Sequence, residues 1–98
     1  MTDKKRNITF SKGAHSAFGT LNENEQKKAI HYLKLISNNK QNTIQSKIYK
    51  LTVNESTLYA IKLNLKLRIV VEVKEEEVSV IDILNHDLFV KYFNNRKP

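Results

Sequence analysis

The stretch Tyr59-Ala60-Ile61-Lys62-Leu63-Asn64-Leu65-Lys66-Leu67-Arg68-Ile69-Val70-Val71-Glu72-Val73 decides the fold. Every odd position in it is apolar, while Lys62, Asn64, Lys66, Arg68 and Glu72 occupy even positions. A period of two is a strand signal, because successive side chains of a strand point to opposite faces. One strand of this length would be unusual, so the segment reads as a hairpin. Parity then sets the turn. With Asn64, Leu65 and Lys66 as a three-residue loop, Leu63 faces Leu67, Lys62 faces Arg68, and both faces keep their character. A two-residue loop would place Lys62 opposite Leu67 and drive a charge into the core. Lys62 and Arg68 are therefore expected side by side, on the face away from the core. Two cations so held repel unless something negative joins them.

The rest of the chain bounds what that pair can do. At 98 residues it is expected to form one domain spanning 1–98, with a modest core. It has no cysteine, which removes disulfides and thiolate metal sites. No apolar run approaches the ~20 residues needed to cross a bilayer, and Met1 to Asn7 is polar with no hydrophobic region behind it. A soluble, cytoplasmic protein is expected. A formal charge of +7 favours a polyanionic or acidic partner.

Asn7 to Phe10 reads as a short edge strand with Ile8 and Phe10 facing inward. Ser11 can cap a first helix whose inner face is Ala14, Ala17, Phe18 and Leu21. Asn22 and Glu25 resemble a capping box opening a second helix, with Ala29, Ile30, Leu33 and Ile36 on its apolar face. The Asn-rich run Ser37 to Thr43 ends it. Ile48 to Val53 fits either a short strand or an extended lead-in, and Asn54 to Ser56 makes a turn. After the hairpin, Lys74 to Glu77 is a second turn. Val78 to Leu84, apolar on both faces apart from Ser79 and Asp82, predicts a central, covered strand. Asp87 can cap a last short helix bearing Leu88, Phe89, Tyr92 and Phe93. The fold class is α+β: a small curved antiparallel sheet, a helical hairpin packed on one face, and a short C-terminal helix.

The common enzyme motifs are missing: there is no GxGxxG, P-loop or GxSxG, and His15, His31 and His86 have no metal-binding spacing. No cofactor is expected. His15 and His31 fall on helices as solvated residues. His86 closes a strand, where scaffolds present functional groups. Lys62 and Arg68 have two readings, as solubilising residues of an open sheet face or as phosphate ligands, and Glu72 could neutralise them across the strand. Lys66 is a turn residue. If the last helix folds over the sheet edge, Lys62, Arg68, His86 and Tyr92 converge. Such a set suits a phosphodiester, with cations on the pentacoordinate phosphate and an imidazole or phenol moving protons.

The chain resembles the RelE/ParE family of toxins from type II toxin–antitoxin modules over nearly its whole length. Ile8-Thr9-Phe10-Ser11 and the two helices are similar to that family's N-terminal half. Leu58 to Leu63 followed by Leu67 to Val73 resembles its strand-turn-strand with an arginine after the turn. Val78 to His86 resembles its final strand, which often ends in glycine-histidine-arginine. The resemblance implies a RelE-like fold and a role in bacterial stress response, with neutralisation by a cognate acidic antitoxin. It also implies a metal-independent mRNA interferase, cutting messenger RNA on the ribosome. Carried over, Lys62 and Arg68 match the sheet cations, His86 the strand-end histidine and Tyr92 the helix tyrosine, with Lys66 as an added RNA-binding residue. Two positions depart: the strand-end arginine falls at or beside Asp87, and a second sheet lysine falls at Ala60. The ParE branch, which poisons DNA gyrase without nuclease activity, is the alternative implied, and a non-toxic basic binding domain is another.

Overall fold

The computed structural model describes residues 5–53 and 56–94, excepting the side chains of 51–53, 56 and 92–94. In chain order the elements are β1 (Asn7–Phe10), α1 (Lys12–Gly19), α2 (Glu23–Ser37), a 3₁₀ helix (Gln41–Lys47), β2 (Ile48–Val53), β3 (Ser56–Lys62), β4 (Leu67–Val73), β5 (Glu77–Asn85) and α3 (His86–Asn94). The five strands form one sheet in the order β1-β5-β4-β3-β2. Neighbours are antiparallel except β1, which runs parallel to β5, so the sheet is mixed rather than wholly antiparallel. The helical hairpin explains the difference: it carries the chain across the sheet, and the strand that leaves it pairs at the opposite edge.

Local sequence starts both helices as expected. The Ser11 hydroxyl accepts from the Ala14 amide at 3.0 Å. Asn22 and Glu25 form a reciprocal capping box, with Asn22 Oδ1 accepting from Glu25 N at 2.8 Å and Glu25 Oε1 accepting from Asn22 N at 3.0 Å. Just past the C-cap of α2, Asn38, the chain turns at Asn39, in the left-handed region at φ 60°. There the Arg6 guanidinium donates to Ile36 O at 3.2 Å and to Lys74 O at 2.7 Å, tying helix end to sheet.

One face of the sheet packs under the hairpin. Ala29, Leu33 and Ile36 from α2 meet Ile61 and Leu63 of β3 and its end, Ile69 and Val71 of β4, and Val78, Val80 and Ile83 of β5. Ala14 of α1, Tyr32 and Ile44 complete this cluster, the last from the 3₁₀ helix that the polar sequence did not announce. Burying a side chain the size of Leu33 contributes about 1.5–3 kcal/mol.

The hairpin register agrees with the parity argument. Lys62 pairs with Arg68, and the Leu63 amide donates to Leu67 O at 3.0 Å. Leu63 is buried and Leu67 packs against the core. Between β4 and β5 the register shifts: Val70 faces Asp82 while Val71 faces Val80, leaving Ile81 as an extra residue. The Ser11 hydroxyl reaches across to this bulge, donating to Ile81 O at 2.7 Å. Val78 and Val80 point into the core before it and Ile83 after it. The apolar residues at both parities of β5 thus reflect a bulge, while β4 is the central strand. The segment 48–53 is a strand at the sheet edge; of the turn expected at Asn54 to Ser56, the first two residues lie outside the description.

Candidate functional site

Arg68 is where the sequence reading and the structure part. It sits opposite Lys62 as expected, on the face away from the helical hairpin, but it is 6% exposed rather than standing open beside a partly exposed Lys62. The side chain doubles back along the turn. Its Nη1 donates to Asn64 O at 2.7 Å and to Leu67 O at 3.0 Å, and its Nη2 meets His86 Nδ1 at 3.2 Å. A buried cation is tolerable when its donors are matched, and charged donors to carbonyls are strong hydrogen bonds. Of the five N–H groups of the guanidinium, three are engaged here among the described residues, which leaves two.

The contact with His86 fixes that ring's chemistry. A guanidinium can only donate, so Nδ1 is the acceptor and the ring proton sits on Nε2. His86 is exposed and opens α3 directly at the end of β5. Its backbone amide donates to Lys66 O at 2.7 Å, which brings the start of α3 against the β3–β4 turn. Together they frame a cleft of about 390 Å³ lined by Leu65, Lys66, Asn85, His86 and Asp87. Lys66 is exposed at its rim, as a turn residue should be.

Asp87 does not cap the last helix. The cap is Asn85, whose Oδ1 accepts from the Leu88 amide at 2.8 Å. Because the strand runs into the helix without a linker, the capping position falls before His86, and Asp87 lies in the first turn, where its charge favours the helix N-terminus. Glu72 does not neutralise the basic pair either. It faces Leu58 and Ser79 across the sheet, and its carboxylate lies 3.8 Å from Lys74 Nζ. Ala60, where a second sheet lysine was expected from the resemblance, is fully buried. Tyr92 belongs to α3, and its side chain lies outside the described residues. The structure therefore brings Arg68, His86 and Lys66 to one place, with Lys62 beside Arg68 in register.

Asn64 is the residue that sequence reasoning passed over. Its Oδ1 accepts from Lys66 N at 2.8 Å and Leu67 N at 2.9 Å, its Nδ2 donates to Glu25 Oε2 at 3.1 Å, and its carbonyl holds Arg68. Asparagine opening a short turn is a signal for such side-chain-to-backbone bonds. Among the described residues no group of three or more His, Cys, Asp or Glu side chains is placed to hold a metal ion. No helix among them is long and apolar enough to cross a membrane.

No family model matches the chain, and no curated protein matches it. Solved structures do. The archaeal RelE–RelB complex from Pyrococcus horikoshii OT3 superposes with a TM-score of 0.70 at 12% identity, covering 83% of this chain and 94% of that one. The fold is RelE-like. The YoeB dimer from Staphylococcus aureus matches with a TM-score of 0.66 at 24% identity over 84% of this chain and 98% of that one. The conserved hypothetical protein HP0894 from Helicobacter pylori, a solution structure, follows at 0.52 and 11%, covering 84% and 96%. The RelE-like fold that the sequence resemblance implied is built here on a mixed five-stranded sheet with its helices, and the Arg68–His86 contact lies where the last strand meets the last helix.

Proposed function

We propose that this chain is the toxin of a type II toxin–antitoxin pair and acts as a ribosome-dependent mRNA endoribonuclease. The observation that carries the reading is the Arg68–His86 contact at 3.2 Å, with His86 lining a cleft that it shares with Lys66. In the reaction, the ribose 2′-oxygen attacks the adjacent phosphorus and loses its proton, while the 5′-oxygen departs and gains one. The products are a 2′,3′-cyclic phosphate and a free 5′-hydroxyl. With Nδ1 occupied by Arg68, His86 offers Nε2–H as a hydrogen-bond donor to the phosphate or to the departing oxygen, and the neighbouring guanidinium strengthens that donor. Lys62 and Lys66 supply positive charge to the RNA backbone. Arg68 acts chiefly through His86. Tyr92, on the same helix as His86, is the further candidate for proton transfer.

Single-turnover cleavage on programmed ribosomes tests this. Arg68→Ala and His86→Ala should each lower the rate at saturation by about 10²–10³-fold, since both remove the one transition-state contact that His86 makes. A parent protein that leaves messenger RNA intact on ribosomes refutes the nuclease reading. The second reading, a gyrase poison of the ParE kind, draws support from the buried Ala60 and from Asp87 in the cleft, both where the family's nuclease cations would stand. It expects a DNA-damage response on induction with no RNA cleavage. Either target is compatible with an antitoxin: a charge of +7 suits an acidic segment that folds on binding, and one structural neighbour is a complex of RelE with RelB. Co-expression with a short acidic neighbouring gene product should then relieve toxicity.

A further inference from the structure

We infer that Asn64 is a positioning residue for the cleavage site, and that Glu25 in the capping box of α2 holds it in place; the inference rests on the endonuclease reading above. The turn between β3 and β4 carries Lys66 and anchors Arg68, yet Leu65 at its tip is 79% exposed, so packing alone does not hold it. Hydrogen bonds do. Asn64 Oδ1 gathers the amides of Lys66 and Leu67, which fixes the direction of the Asn64 carbonyl. That carbonyl takes the shortest of the three Arg68 hydrogen bonds, at 2.7 Å. Arg68 in turn sets the tautomer and tilt of His86 through Nδ1.

The Glu25 carboxylate divides its work. Oε1 closes the α2 capping box on Asn22 N, and Oε2 accepts from Asn64 Nδ2 at 3.1 Å across a separation of 39 residues. A capping box needs only one of these oxygens, and a glutamine would serve it equally well. The second oxygen is turned to the site. One continuous path thus leads from the start of α2 through Glu25, Asn64 and Arg68 to the imidazole. A displacement of the turn by an ångström moves the ring that faces the phosphate, and misplacement of that size costs a reaction about 10²-fold.

The bonds can be cut separately. Asn64→Asp keeps an oxygen for the Lys66 and Leu67 amides but sets one carboxylate against another. Glu25→Gln keeps the cap but turns an amide donor toward the Asn64 donor. The double substitution restores one donor and one acceptor with polarity reversed. On programmed ribosomes, each single variant should cut at least about tenfold more slowly at saturation with its half-saturation concentration unchanged, and the double variant should recover most of the loss. The ¹⁵N shifts of the His86 ring give a readout apart from activity. Both single variants should mix the two tautomers, and the double variant should return to the Nε2–H form. A role confined to holding the turn together would lower thermal stability but leave the saturating rate and the ring nitrogens at parental values, which overturns the inference while Arg68→Ala still stops cleavage. A parent chain with no cleavage at all fails the endonuclease reading, and the inference with it.

Discussion

Lys62 and Arg68 are direct partners in the sheet and carry the same charge, yet their removal should have very unequal consequences for stability. Arg68→Ala deletes two hydrogen bonds from a cation to backbone carbonyls, at 2.7 and 3.0 Å, and a third to His86. Leu67 O keeps its bond from Leu63 N, whereas Asn64 O loses the guanidinium that bonds it. Charge-assisted bonds contribute about 1.5–3 kcal/mol each, and an acceptor left unmatched in a buried setting costs about 1–3. Relief of a buried charge offsets part of this, for a net loss of about 2–4 kcal/mol. In a domain of this size each kcal/mol lowers Tm by about 4–8 °C, so the variant should melt at least about 8 °C below the parent. Lys62, partly exposed, should change stability by no more than about 0.5 kcal/mol when truncated. Urea unfolding followed by far-UV circular dichroism, with thermal melts alongside, measures both; an unchanged m-value confirms that stability alone has moved. If Arg68→Ala melts within about 2 °C of the parent, the guanidinium is not integrated into the turn, and Arg68 is an ordinary surface cation like Lys62.

Lys66→Ala should leave the saturating cleavage rate intact while weakening RNA binding and making its salt dependence shallower by about one unit or less, as read by binding isotherms across a salt series. Asn85→Ala should cost about 0.5–2 kcal/mol by removing the α3 cap, against a few tenths to about 1 kcal/mol for Asp87→Ala, and equal losses in thermal melts would contradict the assignment of the cap. The Glu77 carboxyl is held below its ordinary value of 4.5, first by the Ser79 hydroxyl and then by the Thr9 hydroxyl, against an opposing effect of desolvation that exceeds the further help from the Lys74 charge. A lowered carboxyl contributes stability above pH 4.5 and loses it as pH falls through the folded-state value. Glu77→Gln should therefore narrow the stability difference between neutral and acid melts, and an unaltered pH profile would argue against those bonds.

The hairpin was legible because its information is local and redundant: a strict period of two, one turn length that preserves both faces, and a register that every side chain votes on. The helix starts were legible for the same reason, since Ser11, Asn22 and Glu25 act on amides three residues away. What stayed hidden is relational. The bulge at Ile81 made β5 look apolar on two faces, because a parity switch and a doubly covered strand write similar letters. The polar 3₁₀ helix at Gln41–Lys47 is anchored by Ile44, and one buried residue leaves no period. Arg68 looked exposed because its alternating position predicts a face, while its burial depends on the turn carbonyls and on a histidine 18 residues downstream. The parallel placement of β1 rests on which edge is left open after β5 has joined β4.

That placement has a consequence in time. Thr9 and Ser79 meet across 70 residues of chain, so during synthesis the first strand waits for nearly the last. At the usual pace of about 5–20 residues per second the wait is roughly 4–14 s. The antiparallel ladder of β2, β3 and β4 joins neighbours in the chain and can close earlier, but without β5 it has no Val78, Val80 or Ile83 to set beneath the helices, and β1 has no partner. Arg68 likewise has no His86 to meet until β5 has been made. The core and the site it carries are thus completed together, and only once β5 and the start of α3 have been made.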